Sequence, residues 1–315
     1  MEGVMGELIG WLGLVLLAGW YLYRWLLVRK VPLRQQVSMA ADVYRVGEAW
    51  IIRRQVQNPE CTVVVMHGFL ENPLYFTRYY QDPGIELIMI GSAGYHLPLC
   101  SPTFQSAPWA QASSERSGTI AGDARVLNLA LEHLASTDTI RVHGHSRGAA
   151  VTLEAARQRP ELFTPVEVIL EAPVLPQGRL YRPAPRIAHW LLPLLHLLWQ
   201  RKPGITLSNP AWGPLHDPHK RELIMALPFN PQHSGVLMTN LGDLSAWMRS
   251  TDMDIYRHVR RGAVLVPGKD RVLASKAMLD SARQAENLQI IEVPDGSHFV
   301  LLDNPESIPP LIRNP

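Results

Sequence analysis

The chain reads as an α/β protein, a mostly parallel sheet with helices on both faces, entered from one apolar N-terminal segment. Three observations predict this. Short aliphatic runs such as Thr62–Met66 (TVVVM) and Glu86–Ile90 (ELIMI) are mostly apolar at consecutive positions, the pattern of strands buried on both faces. Helical apolar patterns alternate with these runs, which implies right-handed crossovers and parallel pairing. Thr139–Ala150 (TIRVHGHSRGAA) passes from β character into small, helix-compatible residues through a serine flanked by glycines.

In chain order, Leu8–Val28 comes first. It is apolar except for Arg24 and about long enough to cross ~30 Å of hydrocarbon as a helix. Arg24 is close enough to the end to reach the interface beside Trp20, Tyr21, Tyr23 and Trp25. A cleaved signal peptide would carry a basic first region, yet Met1–Glu7 holds Glu2 and Glu7 and no Lys or Arg. Ser38-Met39-Ala40, the nearest match to a cleavage site, lies beyond Arg29, Lys30 and Arg34. Residues 1–30 are therefore expected to form an uncleaved single-pass membrane anchor, with its helix over about 8–28. Positive charge follows the anchor and none precedes it, which directs the rest of the chain to the cytoplasm. Gly6 and Gly10 make one small-xxx-small spacing. That spacing suits a homodimer through the anchor, and glycine tolerance in membrane helices accounts for it equally.

Residues 41–171 hold the first part of the core. Asp42–Val56 has strand-like runs around Gly47, an antiparallel lead-in to the two apolar strands. Gly122–Ala135 carries Val126, Leu127, Ala130, Leu131 and Leu134 along a helical face. The elbow strand follows, then a helix at Val151–Arg157 and a strand at Val166–Leu170. Residues 262–315 complete the core with strands at Ala263–Val266 and Leu288–Val293. Between them, residues 172–261 break the rhythm with prolines and aromatics and no convincing core strand. Ile187–Trp199 is the most apolar part, too short to span a bilayer and broken by Pro193. It is either a soluble core helix or a cap helix facing a lipophilic substrate or the membrane, and its place in the chain favours a cap. Trp190, Leu194, Leu198 and Trp199 are the candidate lid residues.

Gly144-His145-Ser146-Arg147-Gly148 fits G-x-S-x-G. A strand that turns abruptly into a helix strains the residue at the apex, and the positions two before and two after must lack bulk. The Ser146 hydroxyl is then exposed at the carboxyl edge of the sheet beside free N–H groups of the new helix. Composition narrows the alternatives. The net charge is +2 with no large basic cluster, which argues against nucleic acid as a partner. Two cysteines make neither a disulfide framework nor a metal spacing, and His143-Gly144-His145 lacks partnering ligands, so no metal or cofactor is expected.

Four motifs now stand in order, each just past the carboxyl end of a candidate strand: His67-Gly68-Phe69, Gly144-His145-Ser146-Arg147-Gly148, Gly268-Lys269-Asp270 and Gly296-Ser297-His298-Phe299. In this the chain resembles the α/β-hydrolase family over about residues 41–315. The resemblance implies an α/β-hydrolase fold with a helical cap insertion, and a nucleophile, acid and base in the order Ser146, Asp270, His298. It also implies an oxyanion hole from the backbone N–H groups of Phe69 and Arg147. Glu171, which also follows a strand, is the rival acid. Where the family often has Asp before a Gly-x-Gly turn, this chain reads Gly91-Ser92-Ala93-Gly94-Tyr95. Serine at the elbow argues against relatives with an aspartate nucleophile, the haloalkane dehalogenases and soluble epoxide hydrolases. The expected function is that of a membrane-anchored serine hydrolase cleaving carboxylic esters, with acyl esters of lipids such as lysophospholipids or monoglycerides as substrates. Thioester cleavage or acyl transfer by the same triad, and a non-catalytic binding protein on the same fold, stay open beside it.

Overall fold

In a computed structural model, residues 2–28, 35–110, 115–182, 207–226 and 234–311 are described, with scattered positions between 191 and 204. The N-terminal helix α1 (Glu2–Val28) starts one to two turns earlier than the apolar run alone suggests. Glu2 and Glu7 are residue types that suit a helix N-terminus, where the dipole favours negative charge. Its stretch Val4–Trp25 is long and apolar enough to cross a membrane, about 33 Å at 1.5 Å per residue. None of that stretch is buried against the rest of the chain.

The hairpin of β1 (Ala41–Val46) and β2 (Ala49–Arg54) turns at Gly47, whose φ of 59° lies in the left-handed region. Then come β3 (Cys61–Met66), β4 (Ile85–Gly91) and the short β5 (Thr103–Gln105). Helix α2 (Ile120–His133) leads into β6 (Ile140–His145), α3 (Arg147–Gln158) and β7 (Glu167–Glu171). Helices α4 (Pro218–Met225) and α5 (Ser234–Ser250) lie in the interval before β8 (Gly262–Pro267). The chain closes with α6 (Ser275–Ala282), β9 (Gln289–Val293) and α7 (Val300–Asp303).

The nine strands form one sheet in the order β5-β1-β2-β4-β3-β6-β7-β8-β9. From β4 to β9 every neighbouring pair is parallel, and the β1–β2 hairpin joins β4 antiparallel. The expected lead-in, parallel core and strand order of events are all present. The edge strand β5 was not anticipated, because its three exposed residues carry no apolar run. Helix α3 begins immediately after Ser146, four residues before the expected start, since the elbow leaves no connecting loop.

The apolar run of β3 serves two cores. Val64 and Met66 face one cluster with α2 and α3, while Val63 and Val65 face another with Tyr75, Phe76 and Phe299. Both faces are fully buried, and each such side chain contributes about 1.5–3 kcal/mol. The chain moves from β3 to β4 on one side and then to β6 on the other. That reversal opens a crevice at the carboxyl ends of β3 and β6, where open α/β sheets bind ligands.

The elbow closes that crevice by close backbone contact. A Cβ on Gly144 would lie 2.5 Å from Gly148 O, and one on Gly148 would overlap Met66 O. Gly148→Ala should therefore lower the unfolding free energy by at least about 1–3 kcal/mol, read as a lower urea midpoint at unchanged slope. A midpoint equal to wild type would show that strand and helix can separate at no cost.

Candidate active site

Ser146 sits between β6 and α3 at φ 52° and ψ −117°, a conformation that L-residues rarely adopt. Backbone bonds on both sides hold it: its N–H donates to Glu171 O at 2.9 Å, and its C=O accepts from Val174 N at 3.0 Å. The Arg147 N–H opens α3 and has no helical carbonyl one turn earlier to receive it, so among the described residues it is open to an oxygen beside Ser146. The Arg147 guanidinium is used elsewhere. It is buried and donates to Asp123 Oδ2 at 2.6 Å and Gly118 O at 3.1 Å.

His298 and Asp270 meet as the chain order implied. His298 Nδ1 lies 2.7 Å from Asp270 Oδ2, and both residues are buried. Asp270 Oδ1 accepts from the N–H groups of Val272 and Leu273 at 2.6 and 2.9 Å. Burial alone would raise the Asp270 carboxyl, but His298 and these amides outweigh it and hold it below its ordinary value. The carboxylate can only accept, so Nδ1 carries the proton and Nε2 keeps its lone pair. No hydrogen bond joins Ser146 Oγ to His298 among the described residues; such contacts commonly tighten only when substrate binds.

Phe69 is placed by its neighbours. Ser92 N donates to His67 Nε2 at 3.2 Å, which leaves Nδ1–H to donate to Gly68 O at 2.7 Å. Burial lowers the His67 pKa, consistent with this neutral tautomer. With Gly68 C=O held, the trans peptide turns the Phe69 N–H the opposite way. Gly68 N donates to Glu71 Oε2 at 2.6 Å and Leu70 N to Tyr95 Oη at 3.0 Å. Among the described residues the Phe69 N–H has no hydrogen-bond partner, which leaves it available to an oxyanion.

Glu171, the rival acid, does not touch His298. It accepts from Tyr75 Oη at 2.5 Å, from His143 Nε2 at 3.1 Å and from Leu301 N at 2.7 Å. Burial pushes it up, but the charge of His145 and the bonds from His143 and Tyr75 hold it at about 2. It supports the helix after the base loop, and Asp270 is the acid in contact with His298.

Two further residues complete the site: Glu71, which the sequence did not single out, and His145, weighed there only as a metal ligand. His145 is buried directly before Ser146, with Nδ1 2.6 Å from Glu71 Oε2 and Nε2 2.8 Å from His298 O. Both contacts are made at once when both ring nitrogens carry protons. Burial disfavours that cation, yet the charges of Glu71 and Glu171 overcome it and raise His145 to about 9. The one available signal was a lone carboxylate, Glu71, in the loop after β3. Glu71, His145 and His298 are close enough together to invite a metal reading. The 2.6 Å Glu71–His145 separation is that of a shared proton, whereas two ligands of one tetrahedral zinc stand about 3.3 Å apart.

The candidate lid residues divide. Trp199 is half-buried, 5.3 Å from the Trp212 ring, and lines a cavity of about 30 Å³ with Leu70, Tyr75, Leu223 and Phe299. Leu194 is half-buried and Leu198 is exposed, while Trp190 lies outside the described residues. Larger clefts of about 710 Å³ beside Arg179 and Lys276, and about 440 Å³ between α2 and α3, contain none of the catalytic candidates.

The His145 proton has a measurable consequence. Its pKa is raised from 6.5 to about 9 on folding, so the folded protein binds the proton more tightly. The stabilisation is complete below about pH 6.5 and is lost as pH rises through about 9. Glu71, Glu171, His143, Tyr75 and His298 surround the ring. The melting-temperature gap between wild type and His145→Gln should therefore narrow from pH 6 to pH 10. A gap independent of pH would show that His145 is neutral throughout.

Solved structures share the architecture. An esterase from Exiguobacterium antarcticum superposes with a TM-score of 0.60 at 15% identity, over 86% of this chain and 96% of its own. An N-formylmaleamic acid deformylase from Pseudomonas putida gives 0.58 at 16% identity, over 82% of this chain and 93% of that one. A thermophilic esterase from Thermogutta terrifontis gives 0.56 at 18%, over 89% and 94%. At such identities the likeness is one of fold. No curated protein matches the sequence. The family model described as the alpha/beta hydrolase family matches residues 63–308, from within β3 to just past α7, and thereby includes Phe69, Ser146, Arg147, Asp270 and His298. The chain belongs to the alpha/beta hydrolase family.

Proposed function

We propose that the protein is a membrane-anchored serine hydrolase that cleaves carboxylic esters through an acyl-enzyme on Ser146. The observation that carries this reading is the 2.7 Å His298–Asp270 contact beside a serine held at φ 52° on the elbow. Family membership supports hydrolysis as the class of reaction.

The chemistry follows from the placed groups. Ser146 Oγ attacks the ester carbonyl while His298 Nε2 takes its proton, and Asp270 stabilises the imidazolium. The carbonyl oxygen becomes an oxyanion, stabilised by the N–H groups of Phe69 and Arg147. As the tetrahedral intermediate collapses, the bond to the leaving alkoxide breaks and His298 returns the proton to it. Water then repeats the sequence on the acyl-enzyme and releases the acid.

The substrate reading is an acyl ester of a lipid, such as a lysophospholipid or monoglyceride. The anchor helix and the apolar wall of Leu70, Trp212, Leu223, Ile224 and Phe299 support it. The cavity of about 30 Å³ has room for roughly two water-sized groups, so a long chain requires the segments around Trp199 and Leu223 to give way. Those segments act in this reading as the cap formed by residues 172–261. The charges after the anchor support a cytoplasmic domain, for which external protease should leave a C-terminal tag intact.

Ser146→Ala should abolish turnover of p-nitrophenyl esters, and Asp270→Asn should lower kcat by about 10⁴ through the wrong His298 tautomer. If Asp270→Asn is mild and Glu171→Gln is severe, the acid is misassigned. Parallel assays with acyl-CoA separate ester from thioester preference. Replacing Leu194 and Leu198 with Ser should impair laurate esters more than acetate esters, by up to about 0.8 kcal/mol for each CH₂ left unburied. Equal losses on both esters would make these positions structural.

A further inference from the structure

A second set of buried charges joins the base loop to a distant segment of the chain. Lys220, on α4, is completely buried, and its Nζ donates to Asp303 Oδ1 and Oδ2 at 2.8 and 2.7 Å. Asp303 ends α7, the short helix directly after His298. Its Oδ2 also accepts from Ser297 Oγ, and Ser297 Oγ accepts from Phe299 N at 3.2 Å. The residues on both sides of His298 are thus tied to one carboxylate, whose charge is balanced from α4. Desolvation lowers the Lys220 pKa, and Asp303 opposes that effect.

The same stretch makes three further contacts with the loop. The Trp212 ring lies 5.7 Å from that of Phe299, and Lys220 Nζ stands 5.1 Å over the Phe299 ring. Gly213, at φ 64°, has no room for a Cβ because Ser297 Cβ occupies the space. A buried ion pair contributes little net stability, but removing one partner leaves a buried charge uncompensated.

We propose that Lys220 is a positioning residue for the reaction: seated on Asp303, it holds the Ser297–Phe299 loop so that His298 stands ready for Ser146 only when residues 209–225 are docked. The proposal rests on the serine-hydrolase reading. Lys220 touches no reacting atom. It acts through Asp303 and Ser297, alongside the direct anchors that Asp270 and His145 provide to His298 itself. Docking of the cap over a substrate and placement of the base then become one event. Exposed short esters would be turned over slowly whenever this stretch lifts.

The test uses the full-length protein in detergent with p-nitrophenyl acetate, a substrate too short to need an acyl pocket. Active sites are counted by fluorophosphonate titration carried to completion, and folding is followed by melting. Lys220→Met should lower kcat per titrated site by about 10- to 100-fold, the scale of a misplaced catalytic group, with KM changed by less than about threefold. Lys220→Arg, which keeps the charge, should recover most of the loss. The charge-free pair Lys220→Met with Asp303→Asn leaves no buried ion without a partner, and carries the same expectation if the single variant does not fold. Wild-type kcat per titrated site in either folded variant, with only the melting temperature lowered, would overturn the proposal. A wild type that neither labels nor hydrolyses would instead sink the serine reading, and this proposal with it.

Discussion

The site depends on one strained backbone. Ser146 at φ 52° stores strain on the order of 1–3 kcal/mol, and it persists because its neighbours leave it no other conformation. Its N–H and C=O are both engaged, by Glu171 and Val174, on the turn from β6 into α3. Gly144 and Gly148 let the strand and helix cross at backbone contact, with Met66 O directly beneath. Relieving the strain means pulling α3 away from β3 and β6, whose burial is worth far more. The position of the hydroxyl and that of the Arg147 N–H are thus consequences of the same packing.

Buried charge organises what surrounds the elbow. Gly68 N–H and His145 Nδ1–H both reach Glu71 Oε2, and His145 Nε2–H reaches His298 O. One chain of hydrogen bonds thereby links the loop after β3, the elbow and the base loop. On the far side Ser92 Oγ and Arg147 share Asp123 Oδ2, while Ser92 N fixes the tautomer of His67. In a low-dielectric interior such bonds strengthen one another, and a broken link leaves an expensive unpaired group. Lys220 and Asp303 extend the arrangement to α4.

The sequence made the framework legible because β3, β4, β7 and β8 are buried on both faces and therefore mostly apolar at consecutive positions, while β6, which carries Arg141, His143 and His145, was marked by the glycine-flanked serine that follows it. The placing of Ser146, Asp270 and His298 at strand ends was legible because each lies within a short motif that follows a strand. Glu71, His145 and Lys220 were not. Their roles arise from contacts between residues 74, 153 and 83 positions apart, and no local pattern encodes those distances. Glu171 was ambiguous for a related reason. It stands at a strand end where an acid could act, and only its bonds to Tyr75, His143 and Leu301 show that it serves as support. The exposed β5 carries no apolar run, and the early start of α1 lay where Glu2 and Glu7 interrupt the apolar pattern.

The central claim is that Ser146 is the nucleophile, and mass-spectrometric mapping of a fluorophosphonate adduct tests it most directly. The native protein, labelled and digested, should carry one adduct on the peptide containing Ser146. Denaturing the protein before labelling should abolish it, because activation depends on the folded arrangement of His298 and Asp270. An adduct on any other residue, or none on the folded protein, would contradict the account.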